Sequence, residues 1–201
     1  MEDKIKYNGF TIEKYQDDYA ENPFEFADTL GTLYTAHRKY CPDKELLDKF
    51  EFEEIFDNSG EFKNKFIDKY FALKVYLLDH SGLRVRTTSF NNRWDSGLFG
   101  IICCTKDKAK EYSPEEFDDE KLKEYALDCM RSEIDLLDTY YSEGVYGYTL
   151  TDDSGEEVDS CCGFYGFDAI DEAVEECKGY VDSILLKRQE KLGDQLQINF
   201  N

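Results

Sequence analysis

Negative charge is distributed unevenly along this chain, and that distribution restricts how the chain can fold. Of 45 Asp and Glu residues, 12 fall in residues 107–138 beside 5 Lys and Arg, and 11 fall in residues 151–182 beside one Lys. The whole chain carries 24 Lys and Arg and a formal charge of -21. An unpaired carboxylate is costly to bury. Segments this acidic therefore pack only through an apolar stripe, with their carboxylates turned outward. Both windows have such a stripe.

In the first window Ala126, Met130, Ile134, Leu137 and Tyr141 recur at helical spacing. Ser113-Pro114-Glu115-Glu116 reads as that helix's start, with an N-cap Ser, Pro in the first turn and a capping-box Glu. In the second window Asp168 reads as the cap of a helix whose buried stripe is Ile170, Val174, Cys177, Val181 and Leu185. Residues 61–70 read as a shorter helix, with Phe62, Phe66 and Tyr70 four residues apart, and Asp43 as the cap of another carrying Leu46, Leu47 and Phe50.

Strand signals fill the remainder. Tyr7-Asn8-Gly9-Phe10 is a hairpin turn. Residues 30–36, 71–78, 83–87 and 98–105 read as strands, the last three joined as a meander through Asp79-His80-Ser81-Gly82 and Asp95-Ser96-Gly97. Asp152-Asp153-Ser154-Gly155 turns a C-terminal hairpin over residues 145–165. The expected class is α+β: an antiparallel sheet, meander plus C-terminal hairpin, with helices packed on one face. With 15 Tyr, 15 Phe and 41% hydrophobic residues the chain can fill a core, so residues 1–201 are expected to form one domain, with 1–70 as a possible N-terminal appendage.

Met1-Glu2-Asp3-Lys4 lacks the apolar run of a leader, and no stretch approaches membrane-spanning length. A cytoplasmic location is expected, with no membrane partner and the seven cysteines reduced. A charge of -21 repels phosphate, so direct nucleic-acid binding is not expected. Two histidines and no metal-binding or phosphate-loop motif point to no cofactor, no metal site and no catalytic residue. Asp79-His80-Ser81 has the residue types of a hydrolase triad, but neighbours in a tight turn point apart, and a turn is the expected role. Cys103-Cys104 and Cys161-Cys162 are expected as buried thiols, with a chance metal site left open if the two pairs meet across the sheet. Arg84, Arg86 and Arg93 form the one basic island and are expected to pair with the chain's own acidic helices.

Several segments together resemble a family. They are Asn22-Pro23, Leu30-Gly31-Thr32, His37-Arg38-Lys39-Tyr40, Leu78-Asp79-His80-Ser81-Gly82, Arg93-Trp94-Asp95-Ser96-Gly97, Val145-Tyr146-Gly147-Tyr148 and Asp159-Ser160-Cys161-Cys162-Gly163-Phe164-Tyr165-Gly166. The likeness is to uncharacterised small proteins carried by bacteriophages, plasmids and integrated elements, and it covers residues 22–176. It carries over no functional residue. It implies a phage or mobile-element setting, in which small acidic proteins act as anti-CRISPR or antirestriction inhibitors of host defence.

The functional expectation follows from charge density. Ten carboxylates between Glu115 and Asp138 span about 35 Å of helix, roughly one per 3.5 Å of rise. One strand of DNA carries a phosphate about every 3.4 Å. The chain is therefore expected to be an acidic DNA mimic that enters the basic channel of a CRISPR effector or restriction enzyme in the host cytoplasm. Its partner-binding residues are expected to be Asp152, Asp153, Glu156, Glu157, Asp171, Glu172, Glu175 and Glu176, with Glu115, Asp118, Asp119 and Glu120 as a second patch. A merely solvated helix face explains the same pattern. Two alternatives stay open: a protein-binding module using Tyr146, Tyr148, Phe164, Tyr165 and Trp94, or a hydrolase acting on a defence component.

Overall fold

The computed structural model describes residues 3–35, 37, 44–45, 49–92, 94–114 and 116–198. In chain order the elements begin with β1 (Asp3–Tyr7), β2 (Phe10–Gln16), α1 (Pro23–Phe26), β3 (Thr32–Thr35), β4 (Lys44–Glu45), α2 (Phe52–Ile55) and α3 (Asn64–Ile67). They continue with β5 (Tyr70–Asp79), β6 (Leu83–Arg86), β7 (Ser96–Thr105), α4 (Lys106–Tyr112), α5 (Asp119–Ser142), β8 (Val145–Thr151), β9 (Glu157–Tyr165) and α6 (Phe167–Ile198). The class is α+β, built on two sheets dominated by antiparallel pairing. Contacts divide the chain into two compact units: residues 1–20 together with 143–201, and residues 21–142. The first twenty residues thus group with the C-terminal third rather than with residues 21–70.

The first unit is a four-stranded antiparallel sheet in the order β1-β2-β8-β9. Asn8 and Gly9 have φ of 48° and 85°, the left-handed pair that a two-residue hairpin with native twist needs, and Tyr7 lies opposite Phe10. Residue 17 donates its amide to the Val145 carbonyl at 2.8 Å, so the chain leaves and re-enters this sheet at adjacent points. Phe10, Ile12, Tyr148 and Leu150 pack against Ile170, Val174, Cys177 and Val181 of α6. That is the helical stripe read from the sequence, with Leu185 partly buried at its end. Asp168 is not the cap: it sits inside the first turn, after Gly166 at φ 84°. The Phe167 amide donates instead to the Glu143 carboxylate at 3.0 Å. Capping requires a side-chain oxygen that returns from non-helical backbone, and Asp168 is already helical.

The second unit holds a five-stranded sheet in the order β4-β3-β7-β5-β6. The expected meander is not the observed order. β5 lies between β6 and β7, because β7 matches β5 in length and pairs along its whole other edge, from Tyr70↔Thr105 to Leu78↔Ser96. A bulge at Phe99, between the pairs Val75↔Gly100 and Tyr76↔Leu98, turns that ring onto the face of Ile102. One face packs Leu33, Val75, Leu77, Val85, Phe99 and Ile102 against Leu122, Ala126, Met130, Ile134 and Leu137 of α5. The opposite face presents Tyr34, Ile101 and Cys103 to Phe50, Ile55, Phe56 and Phe66 from the segment carrying α2 and α3. Here both faces are covered, so helices on one face only does not describe this unit.

Three local expectations are corrected. Ser113-Pro114 closes α4 rather than opening α5: Thr105 caps α4 through its hydroxyl, Ser113 is extended at ψ 136°, and the proline following it disfavours a helical backbone there. α5 begins at Asp119, with the Asp118 carboxylate accepting the Lys121 amide at 2.9 Å. In residues 61–70 only α3 is helical, yet the rings still stack, Phe62 on Phe66 at 5.7 Å and Phe66 on Tyr70 at 5.0 Å. The helix expected from Asp43 meets a strand at Lys44–Glu45, which pairs in parallel with Tyr34–Thr35; Asp43, Leu46 and Leu47 lie outside the described residues.

Candidate functional site

α6 sorts its side chains by angle. At about 100° per residue, Asp168, Asp171, Glu172, Glu175 and Glu176 fall within an arc of about 140° centred opposite the buried stripe. All five are exposed. Asp171 is held by Lys14 at 3.0 Å, and Glu175 by Lys178 one turn on. Asp182, further along, accepts from the Tyr7 hydroxyl at 2.9 Å and Asn8 Nδ2 at 3.0 Å. Asp168, Glu172 and Glu176 have no ion pair or hydrogen bond through their carboxylates among the described residues.

The β8–β9 turn is a separate feature. Asp152 Oδ1 accepts from the Ser154 amide at 2.9 Å, the Ser154 hydroxyl at 2.6 Å and the Glu156 amide at 3.1 Å. The Ser154 hydroxyl and the Glu156 amide, with Arg188 adding attraction, hold this carboxyl below its ordinary 3.8. Asp152 is therefore engaged in shaping its own loop and is withdrawn from the expected contact set. The same device recurs at Asp57-Asn58-Ser59-Gly60-Glu61, where Asp57 Oδ1 accepts from Ser59 and Glu61, and both loops place Gly at φ near 80°. The repeated Asp-x-Ser-Gly-Glu pattern was the sequence signal for this role. Asp153 and Glu156 are exposed, and Glu157 accepts the Ser160 hydroxyl at 2.9 Å.

Arg188 marks where this turn lies along α6. It is 16 residues beyond Glu172, about 24 Å of helix. The eight residues of the first expected patch therefore form two clusters toward opposite ends of one sheet, not one continuous surface. Replacing Asp152 with Ala is expected to remove hydrogen-exchange protection at the Ser154 and Glu156 amides while leaving that of β1 unchanged. Because the folded carboxyl is held low, its contribution is present above pH 3.8 and lost as pH falls through the folded value. The variant should lack that component of the acid-unfolding profile.

The second expected patch belongs to the other unit. Asp118 is the α5 cap, Asp119 and Glu120 are exposed in the first turn, and Glu115 lies outside the described residues. Much of the remaining acidity of this helix is used internally. Asp138 accepts Arg84 Nε at 2.9 Å, Arg84 Nη2 at 2.6 Å and the Val85 amide at 2.8 Å. Glu133 accepts the Leu30 and Gly31 amides at 2.6 Å and 3.0 Å, and Asp128 pairs with Arg131. Arg84 thus pairs with an acidic helix, as expected, reaching α5 from the edge strand β6. Arg86 turns to the Thr88 and Ser89 carbonyls and stacks on Phe90, and Arg93 lies outside the described residues.

The aromatic alternative loses its surface. Tyr148 is buried beneath α6, Tyr146 and Phe164 pack on the same core, and Tyr165 is partly buried and engaged. Alternate positions of the β8–β9 hairpin face the helix, which draws Tyr146, Tyr148 and Phe164 inward. Trp94 alone among the five is exposed, at 95%, and it belongs to the other unit.

Cys103 and Cys104 are buried, on opposite faces of the five-stranded sheet, and burial pushes their thiols up to about 12 and about 11. Cys161 and Cys162 are exposed and lie in the other sheet, so the two pairs do not meet across one. Among the described residues, no group of three or more His, Cys, Asp and Glu is arranged to hold a metal ion, and no helix is long and apolar enough to cross a membrane. Comparison with protein-family models, curated proteins and solved structures finds no match for this chain.

Proposed function

We propose that this chain is an inhibitor that docks on the basic channel of a nucleic-acid-handling protein, presenting the outward carboxylates of α6 where phosphates would lie. The family resemblance supplies the setting: a phage or mobile-element product that blocks a bacterial CRISPR effector or restriction enzyme in the host cytoplasm. One observation carries the reading. Asp168, Glu172 and Glu176 stand on a single exposed arc, opposite the buried stripe, with no cation to neutralise them among the described residues. They recur every four residues, so about 12 Å of helix presents three uncompensated charges, with Asp171 and Glu175 between them. A field of this sign steers association with a basic groove and weakens with added salt.

The test is affinity capture from bacterial lysate with and without excess competing duplex DNA. Nucleic-acid-binding enzymes should be recovered only when the competitor is absent, and recovery should fall as salt rises. A triple reversal, Asp168→Lys with Glu172→Lys and Glu176→Lys, changes the local charge by six while leaving the buried stripe untouched. It should reduce capture by at least about a hundredfold, since each lost charge contact in an electrostatic complex is worth about 1 kcal/mol or more. Capture that ignores both competitor and charge reversal would refute mimicry and leave the acidic arc as a solvated face.

A further inference from the structure

Three places far apart in the sequence meet at one end of the five-stranded sheet: residue 37, the β5–β6 turn at 79–82, and residues 94–97 leading into β7. They border a cleft of about 330 Å³ whose walls include His37, Asp79, Trp94, Asp95 and Ser96. Asp95 is fixed from several directions. Its Oδ2 accepts from Asn92 Nδ2 at 2.9 Å and lies 3.1 Å from His80 Nδ1, and its carbonyl accepts the Asp79 amide at 2.9 Å. Asn92 Oδ1 in turn accepts the Trp94 amide at 3.1 Å, and the Ser96 hydroxyl donates to the Asn92 carbonyl. Two functions are left over. Asp95 Oδ1 has no partner among the described residues, and the Trp94 ring makes no aromatic or cation contact there.

A loop braced by this many hydrogen bonds holds the largest apolar side chain of the chain almost wholly in water, at the mouth of a polar cleft. Exposed indoles so placed act as binding anchors. We propose that the cleft binds an organic cation, a guanidinium or primary ammonium group on a flexible stem, with Asp95 Oδ1 as its charge partner and the Trp94 ring over it. The carboxylate supplies a charge-assisted hydrogen bond, and indole is the aromatic face that best attracts a cation. The volume lies at the small end of the ligand-cleft range and suits one side-chain-sized group. The carboxylates Asp79 and Asp95 lining the cleft, within an overall charge of -21, favour a cation over a phosphate-bearing occupant. Nothing in this proposal depends on α6.

Trp94 is the only tryptophan of the chain, so tryptophan fluorescence of the full-length protein reports on this cleft alone. N-acetyl-arginine amide, titrated at constant ionic strength, should give a saturable change in emission. Asp95→Asn keeps an acceptor for Asn92 but removes the charge, and should weaken binding about tenfold or more with an unchanged circular dichroism spectrum. Trp94→Leu, followed by calorimetry, should lose binding as well. The α6 triple reversal should bind as the parent does. A short arginine-containing peptide separates the sources: tighter binding than the amide assigns the cleft to a basic partner's side chain, and equal binding assigns it to a small free cation. A response absent for both ligands, reproduced by sodium chloride alone, or unchanged in Asp95→Asn overturns the proposal.

Discussion

Alanine at position 100 is expected to cost about 3 kcal/mol or more, beyond the usual penalty for overpacking a core. A Cβ there would lie 2.0 Å from the Tyr34 carbonyl oxygen and 2.9 Å from the Thr35 Cα. These are backbone atoms of β3, which pairs with β7 in exact opposition at Thr35↔Gly100, so no side chain can swing aside. Relief requires β3 to leave the sheet. That would uncover Leu33 and Tyr34, which contribute to the cores on its two faces. The thermal midpoint of the second unit, followed by near-ultraviolet circular dichroism, should fall by about 10 °C or more. Gly97→Ala in the same strand is the control, because an added Cβ there meets nothing within 4 Å. Equal midpoints for the two variants would show that β3 does not depend on this close approach.

The second large effect is expected at Glu133, on the sheet-facing side of α5. Its carboxylate accepts the Leu30 and Gly31 amides, and an added Cβ at Gly31 would sit 2.9 Å from Glu133 Oε2. Truncation to Ala removes both acceptors from a partly buried place. At about 1–3 kcal/mol for each orphaned amide, the loss should be about 2–6 kcal/mol, read as a lower denaturant midpoint with unchanged slope. Burial pushes the Glu133 carboxyl above its ordinary 4.5, against the two amides and Lys108, which pull it down. The folded state therefore favours the protonated form. This stabilisation is complete below about pH 4.5 and is lost as pH climbs through the raised folded value. Over that interval the parent should lose stability relative to Glu133→Gln, which cannot ionise. A parent that gains stability relative to Glu133→Gln as pH rises would reverse the assignment. Asp152 acts in the opposite sense, losing its contribution only below pH 3.8.

Local features of the chain were legible from a few residues at a time. Asn8-Gly9 demanded a hairpin because few residue pairs accept two positive φ angles, and β1 and β2 pair across it. The stripes of α5 and α6 were readable because a helix repeats every 3.6 residues and unpaired carboxylates resist burial. Ser113-Pro114 misled because one short motif serves equally to end a helix or begin one. Only the neighbouring Thr105 and Asp118 caps distinguish the two outcomes.

The candidate site was legible in composition but not in arrangement. The sequence shows that α6 is acidic; it does not show that Lys14, 157 positions from Asp171 along the chain, comes to hold that carboxylate. Nor does it show that His80 meets Asp95, or that Glu133 is spent on two backbone amides of Leu30 and Gly31.

Residue pattern was enough to establish the two long helices, the longer strands and the apolar stripes of α5 and α6, because those preferences are set by backbone sterics and burial within one or two turns. The partners of each edge, cap and carboxylate came from chain closure over long separations, as when β2 pairs with β8 across more than a hundred residues. Such pairings depend on the simultaneous packing of distant surfaces, a property that no window of the sequence contains.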